Sequence, residues 1–193
     1  MTAPAKINYK FYQGSTVYEI LRWESTEIVY KTITDISKSA PVVITAPNHE
    51  LPEDWRVKVT SVLGMTDINN ISNYYRVSSV TGNTVTIRDI NSLNFKDYTS
   101  GGVLEYNKPI GLNGYSGIMR IKAKATDTIS LYEATVANGG IIVDASNSAI
   151  YINIPADVTS TFTFSTAVYS LILTSNNGDV IPFTSGSISL IKV

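Results

Sequence analysis

At 193 residues the chain is long enough for one domain or two small ones, and either arrangement could bury a hydrophobic core. Its 15 Lys and Arg residues against 16 Asp and Glu give a net charge of -1, which provides no long-range attraction for nucleic acid. The absence of cysteine excludes disulfides, thiolate metal sites and cysteine nucleophiles, and a single histidine limits the remaining chemistry.

No run of residues has the length and apolar character of a signal peptide or of a bilayer-spanning helix. The sequence therefore predicts a soluble chain that is not inserted in a membrane. Only 16% of the residues are charged, whereas Thr, Ser, Val, Ile and Tyr are abundant, a composition typical of β-proteins.

Alternating apolar residues predict short strands along the first half of the chain. In chain order these are residues 17–23, 28–36, 42–46, 56–63, 74–79, 84–89 and 103–106. The loop at residues 37–41 marks a boundary, because Pro41 cannot donate a hydrogen bond to a strand ladder. Gly82 and Asn83 predict a two-residue hairpin, since glycine accepts the positive φ that such turns need.

The second half of the chain shows the same pattern. Its predicted strands are residues 116–124, 128–135, 141–144, 149–154, 168–173, 180–183 and 188–193. Pro155 predicts a short helical turn within residues 155–164, and Asn177-Gly178 predicts a second hairpin. Short strands joined by Gly and Asn turns, without long helical periodicity, indicate an all-β sandwich or barrel.

Two segments carry a first family pattern: PVVITAPNHELPEDWRVKVTSVLGMTDIN and YYRVSSVTGNTVTIRDINSLNFKDYTSGG, within residues 41–106. They resemble the small β-barrel repeat that phage proteins share with the first catalytic-cysteine half-domain of ubiquitin-activating enzymes. Glu50 stands where that family usually has glycine after the histidine, and Glu tolerates a positive φ poorly. In those enzymes the module is a structural insertion, so the resemblance implies no enzymatic activity.

The flanking segments carry a second pattern, in FYQGSTVYEILRW, PIGLNGYSGIMRIKAK, SLYEATVANGGIIVD and AIYINIPADVTSTFTF. They resemble the immunoglobulin-like (Ig-like) domain of tailed-phage virion proteins and are similar to the N-terminal domain of phage upper-baseplate proteins. The two resemblances together imply a discontinuous Ig-like β-sandwich of residues 1–37 and 107–193, with a small β-barrel module of residues 38–106 inserted into it.

The function implied by these resemblances is a non-enzymatic structural component of a tailed-phage virion, associated with the tail, neck or baseplate. Its expected partners are other virion proteins, in multiple copies or as a homo-oligomer, with neither nucleic acid nor a cofactor. A capsid decoration protein and a host-surface carbohydrate-binding module are the alternatives.

For the residues that could act in catalysis or metal binding, the sequence favours structural roles. His49 lies beside Glu50, Glu53 and Asp54, but one histidine with carboxylates between two prolines makes a poor transition-metal cage. A structural turn is the preferred interpretation, with a hard cation at the three carboxylates as the alternative. Asp67 and Asp144 favour Asx-turns over calcium binding. No serine lies in a nucleophile-elbow pattern, so the sequence predicts no catalytic, cofactor or metal residues.

Large side chains of the two domains are the candidate interface residues, because aromatic residues commonly anchor protein interfaces. They are Tyr12, Trp23, Trp55, Met65, Tyr74 and Tyr75. Packing within the protein is the alternative role for most of them. In a regular strand Tyr74 and Tyr75 must point to opposite faces, which predicts that one of the two is exposed.

Overall fold

The chain is all-β, as its sequence predicts. A computed structural model describes residues 4–192, so Val193, the last residue of the final predicted strand, lies outside the described part. The strands, numbered along the chain, are β1 (Ala5–Lys6), β2 (Tyr9–Tyr12), β3 (Val17–Arg22), β4 (Glu24–Thr32), β5 (Asp35–Ile36), β6 (Val43–Thr45), β7 (Arg56–Leu63), β8 (Asn70–Val80), β9 (Thr84–Ile87), β10 (Ser100–Pro109), β11 (Ser116–Lys122), β12 (Tyr132–Thr135), β13 (Ile141–Asp144), β14 (Ala149–Ile154), β15 (Thr166–Thr174) and β16 (Val180–Ile191). A 3₁₀ turn spans Thr66–Ile68, and the helix α1 spans Ala156–Ser160.

The chain divides into two compact units, one of which is discontinuous in sequence. Unit 1 contains the described residues up to Arg22 and from Gly111 onward, and unit 2 runs from Trp23 to Ile110. The sequence pattern predicts boundaries at residues 37/38 and 106/107. In the structure residues 23–37 belong with the inserted module instead, and the hydrogen bonds of unit 2 give the reason.

Unit 2 is a seven-stranded sheet that closes on itself. Its strand order is β4-β10-β7-β8-β9-β6-β5, and the two outer strands, β4 and β5, are successive parts of one segment. At the junction the Ile33 N–H donates to the Gly102 carbonyl toward β10 (3.0 Å), and the Thr34 N–H donates to the Thr45 carbonyl toward β6 (2.9 Å). The sheet therefore forms a barrel whose two ends are joined through this segment. Without residues 24–36 the barrel could not close.

The interior of the barrel is filled by apolar side chains from every strand. Alternation along β7 places Val57 and Val59 inside, as the sequence pattern predicts. Gly102 has a φ of +99°, and a Cβ atom built there would lie 2.8 Å from Val62 Cγ2. Glycine is required at this point because the strand passes too close to its neighbours for a side chain.

Unit 1 consists of two sheets. One has the order β1-β16-β15-β11-β12, with β2 also paired to β16, and the other has the order β13-β14-β3. Both β1 and β2 run parallel to β16, whereas the other pairs are antiparallel. A Cβ atom built at Gly117 of β11 would lie 3.0 Å from Ile141 Cγ2 of β13, so the two sheets face each other closely. This packing is a β-sandwich-like arrangement.

The predicted helical turn after Pro155 is α1. The Thr159 hydroxyl of this helix donates a hydrogen bond to the Ser15 carbonyl (2.8 Å), which holds the helix against the turn that precedes β3. The amide of Gln13 donates to the Phe162 carbonyl (2.9 Å) and fixes the residues that follow the helix. These side chains hold the connection between β14 and β15 against the N-terminal part of unit 1.

Glu50 has a φ of +53°, the conformation that its glycine counterpart in the resembled family would adopt freely. We expect Glu50→Gly to raise the free energy of unfolding by about 0.5–1 kcal/mol, because the relief of left-handed strain exceeds the added entropy of the unfolded chain. Urea denaturation measures this change. Glu53, in the same loop without a positive φ, provides the control: Glu53→Gly should lower stability by a similar amount. Equal destabilisation by both substitutions would contradict the strain at Glu50.

Candidate functional site

His49 is buried and holds the loop between β6 and β7. Its Nδ1 accepts a hydrogen bond from the Leu51 N–H (3.0 Å), so the ring proton lies on Nε2, which donates to the Thr84 carbonyl (3.1 Å). The Tyr106 hydroxyl donates to the backbone carbonyl of His49. Both ring nitrogens therefore bind backbone groups, which supports the structural role that the sequence analysis preferred.

The carboxylates near His49 do not converge on one point. Asp54 forms an ion pair with Arg88, and its backbone carbonyl accepts a hydrogen bond from Arg76 (3.2 Å). Across residues 4–192, no group of three His, Asp or Glu side chains is arranged to hold a metal ion.

The two other candidate carboxylates have local roles. Both carboxylate oxygens of Asp144 accept hydrogen bonds from Asn147, one from its backbone N–H (3.1 Å) and one from its side-chain amide (2.8 Å). A backbone hydrogen bond from Ser146, two residues after Asp144, forms the predicted Asx-turn. The side-chain bond from Asn147 is the main reason that the pKa of Asp144 lies below its usual value. Asp67 lies exposed in the 3₁₀ turn.

Two of the six candidate interface residues lie inside the barrel and are unavailable to a partner. Trp55 is 1% exposed, and its indole N–H donates to the Asn107 carbonyl (2.9 Å). Met65 is fully buried in the same core. The interface role assigned to both is therefore corrected: closure of the barrel encloses side chains that flank β7, and burial of each contributes about 1.5–3 kcal/mol.

The other four candidates differ in exposure. Tyr75 packs against the barrel core, and its hydroxyl donates to the Ile68 carbonyl (3.1 Å). Its neighbour Tyr74 is exposed, so the predicted division of these two tyrosines between opposite faces is confirmed. Tyr12 is exposed, and Trp23 is half-buried.

Tyr74 belongs to a continuous polar and aromatic surface on the outside of the barrel. Glu105 of β10 lies directly opposite Tyr30 of β4 on one side and Lys58 of β7 on the other. The Lys58 ammonium lies 5.0 Å from the centre of the Tyr74 ring, and the Arg56 guanidinium carbon lies 4.5 Å from the same centre. We call these five residues the barrel face.

Electrostatic contacts fix the side chains of the barrel face. Nε of Arg56 donates to Glu24 Oε1 (2.7 Å), and this bond raises the pKa of the guanidinium further above its usual value. Each cation–π contact with Tyr74 adds about 0.5–1 kcal/mol at an exposed site. Tyr30 is 62% exposed, yet the sequence analysis did not include it among the interface residues. Tyr30 lies in the same cross-strand row as Lys58 only because of the register of β4, β10 and β7.

Unit 1 has an exposed apolar surface of its own. Ile20 of β3, Tyr151 of β14 and Ile142 of β13 lie directly opposite one another on the outer face of the three-stranded sheet. The ring of Tyr18 lies 5.7 Å from that of Tyr151. We call these four residues the sandwich face.

No protein-family model matches the chain, and a search of curated proteins finds no match. Within the described residues, no helix has the length and apolar character needed to cross a membrane.

The hydroxyl of Tyr106 provides a pH-dependent test of the loop around His49. Burial raises the pKa of Tyr106 to about 12, whereas an unfolded tyrosine titrates near pH ~10. The folded state therefore keeps this proton where the unfolded state loses it, so the stability it contributes is complete below pH ~10 and is lost as the pH rises toward 12.

We expect Tyr106→Phe to lower the free energy of unfolding at pH 7 by about 1 kcal/mol, because the His49 carbonyl loses a hydrogen bond. The same variant should show a shallower decline in stability above pH ~10 than the wild type. Tyr9 and Tyr169, whose pKa values burial also raises, contribute equally to both proteins. Tyr30→Phe, at an exposed position, should leave the free energy of unfolding at pH 7 unchanged. Denaturation curves across this pH range test the idea, and an unchanged decline in Tyr106→Phe would contradict it.

Proposed function

We propose that the chain is a non-enzymatic structural component of a tailed-phage virion, associated with the tail, neck or baseplate and docked on other virion proteins in multiple copies. The proposal rests on the resemblance of the flanking segments to Ig-like virion domains. The observation that carries it furthest is the strand order of unit 1.

That strand order supports the assignment of unit 1 as an Ig-like sandwich. Ig domains place strands B, E and D on one sheet and strands C, F and G on the other, with C′ beside C in variable-type domains. In unit 1, β3, β14 and β13 take the places of B, E and D, while β11, β15, β16 and β12 take those of C, F, G and C′. Unit 2 follows β3 and precedes β11, so under this assignment the barrel is inserted between the strands that correspond to B and C.

The barrel face has the composition of a docking surface. Tyrosine and arginine are enriched among residues that dominate binding energies at protein interfaces. Here Tyr30 and Tyr74 present exposed rings, and Lys58 and Arg56 hold the ring of Tyr74 in position before any partner arrives. A preorganised surface loses little side-chain entropy on binding. The sandwich face offers a second, apolar surface, and Tyr12 remains a candidate contact of unit 1.

The burial and the hydrogen bonds of His49 are consistent with a structural role. His49 binds backbone groups through both ring nitrogens and lies 1% exposed. General acid–base catalysis needs a side chain within hydrogen-bond reach of a substrate proton. His49 lies in a buried loop, so its ring does not come within hydrogen-bond distance of a substrate proton at the surface.

Quantitative mass spectrometry of purified phage particles tests the proposal. Tagged full-length chain, produced during infection, should copurify with particles at a fixed ratio of several copies per particle. The double variant Tyr30→Ser with Tyr74→Ser should reduce this incorporation at least about tenfold, because loss of two interface anchors commonly costs more than 1.4 kcal/mol.

Leu93→Ser is the matched control, because Leu93 is 55% exposed in unit 2 and lies outside the barrel face. It should leave incorporation unchanged, and melting temperatures should show that all variants fold. Absence of the wild-type chain from particles would overturn the virion role. If the chain is present in the particles, its localisation by cryo-electron microscopy separates a tail position from the alternative of capsid decoration.

A further inference from the structure

A row of cations and hydroxyls crosses the outer face of the larger sheet in unit 1. Lys6 of β1 lies opposite Ser185 of β16, Ser185 lies opposite Ser170 of β15, and Ser170 lies opposite Arg120 of β11. Residues paired in this way point to the same side of a sheet. The register thus places two small hydroxyl side chains between two long basic ones.

This row lies in a groove of about 570 Å³. Ligand sites commonly measure about 300–1,000 Å³, so the groove has room for one or two sugar rings. Besides the row, Lys122 lines it from β11, and Val168 and Ala125 add apolar surface. Gly186 also lines it, and a Cβ atom built there would lie 1.9 Å from the Ile7 carbonyl oxygen. The residue that follows β1 therefore approaches the backbone at Gly186 too closely for a side chain to be accommodated there.

The segment that carries Lys6 is held in place before any ligand binds. The Ile7 N–H donates to the Ser185 carbonyl (3.0 Å), and the Tyr169 hydroxyl donates to the Ile7 carbonyl (2.9 Å). Asn8 accepts hydrogen bonds from both the backbone N–H and the hydroxyl of Ser187, each at 3.0 Å. Because residues 6–8 are already ordered, this side of the groove loses little entropy when a ligand binds.

The groove is positively charged. It is lined by Lys6, Arg120 and Lys122, and the acidic side chain paired to one of them is Glu133, whose Oε1 lies 3.0 Å from Nε of Arg120. That bond uses one of the five N–H donors of the guanidinium. Lys122 donates to a neutral group, the Asp127 carbonyl (2.7 Å). Among the described residues Lys6 has no ion-pair partner.

We propose that this groove binds a carboxylate or phosphate group carried on a sugar. Arg120 and the two lysines supply charge-assisted hydrogen bonds to the anion. Ser170 and Ser185 supply donors and acceptors for sugar hydroxyls, while Val168 contacts the apolar face of the ring. The inference stands independently of the virion role, because it rests on the side chains of this groove and uses neither the Ig-like strand order nor the barrel face.

Chemical-shift titration of the isotope-labelled full chain tests it, with glucose 6-phosphate, glucuronate and neutral glucose as probes. We expect the anionic sugars, but not glucose, to shift the resonances of residues that line the groove. Added NaCl should weaken the binding by screening. Binding of both anions, or of one alone, supports the proposal and identifies the phosphate or the carboxylate as its source.

Substitutions of opposite expected effect sharpen the test. Arg120→Gln and Lys6→Gln should each weaken the anion affinity about tenfold, because each removes a charge-assisted contact. Glu133→Gln should strengthen it, because a competing carboxylate is removed from Arg120. Lys124→Gln, which removes a charge just beyond β11 without lining the groove, should change it little. No binding, equal binding of glucose, shifts outside the groove, or an equal loss in Lys124→Gln would overturn the proposal.

Discussion

Closure of the barrel depends on one continuous segment that pairs with two different strands. Residues 24–36 bind β10 through β4 and bind β6 through β5, and the change of partner occurs between Ile33 and Thr34. The two ends of the sheet are thereby joined through one segment, which stabilises a core that a small open sheet would leave exposed. The burial of Trp55 and Met65 follows from this closure.

The sequence predicted what depends on local pattern. Val57, Val59 and Ile152 are buried as their alternation indicates, and the turn at Asp144 is formed by hydrogen bonds from Ser146 and Asn147, within three residues of it. The first domain boundary was wrong because residues 28–36 have the same local pattern in either unit. Only their long-range partners, β10 and β6, assign them to the barrel.

The candidate surfaces were less predictable, since they depend on strand register. Tyr74 could be identified because its neighbour Tyr75 must point the opposite way. Tyr30 meets Glu105 and Lys58 only through the pairing of β4, β10 and β7. Lys6 and Arg120 are separated by most of the chain, and no local feature of either residue indicates that two serines lie between them.

Both surfaces follow from the same property of a paired sheet. Neighbouring side chains in a cross-strand row lie about 4.8 Å apart. Backbone hydrogen bonds hold that spacing, so no side-chain entropy is lost to maintain it. On the barrel, the long charged side chains of Glu105 and Lys58 lie between the rings of Tyr30 and Tyr74 and give a raised surface that suits a protein partner. On the sandwich, small serines between long cations give a groove that suits a small anion. The size of the side chains in the middle of each row therefore decides which kind of ligand the row can accept.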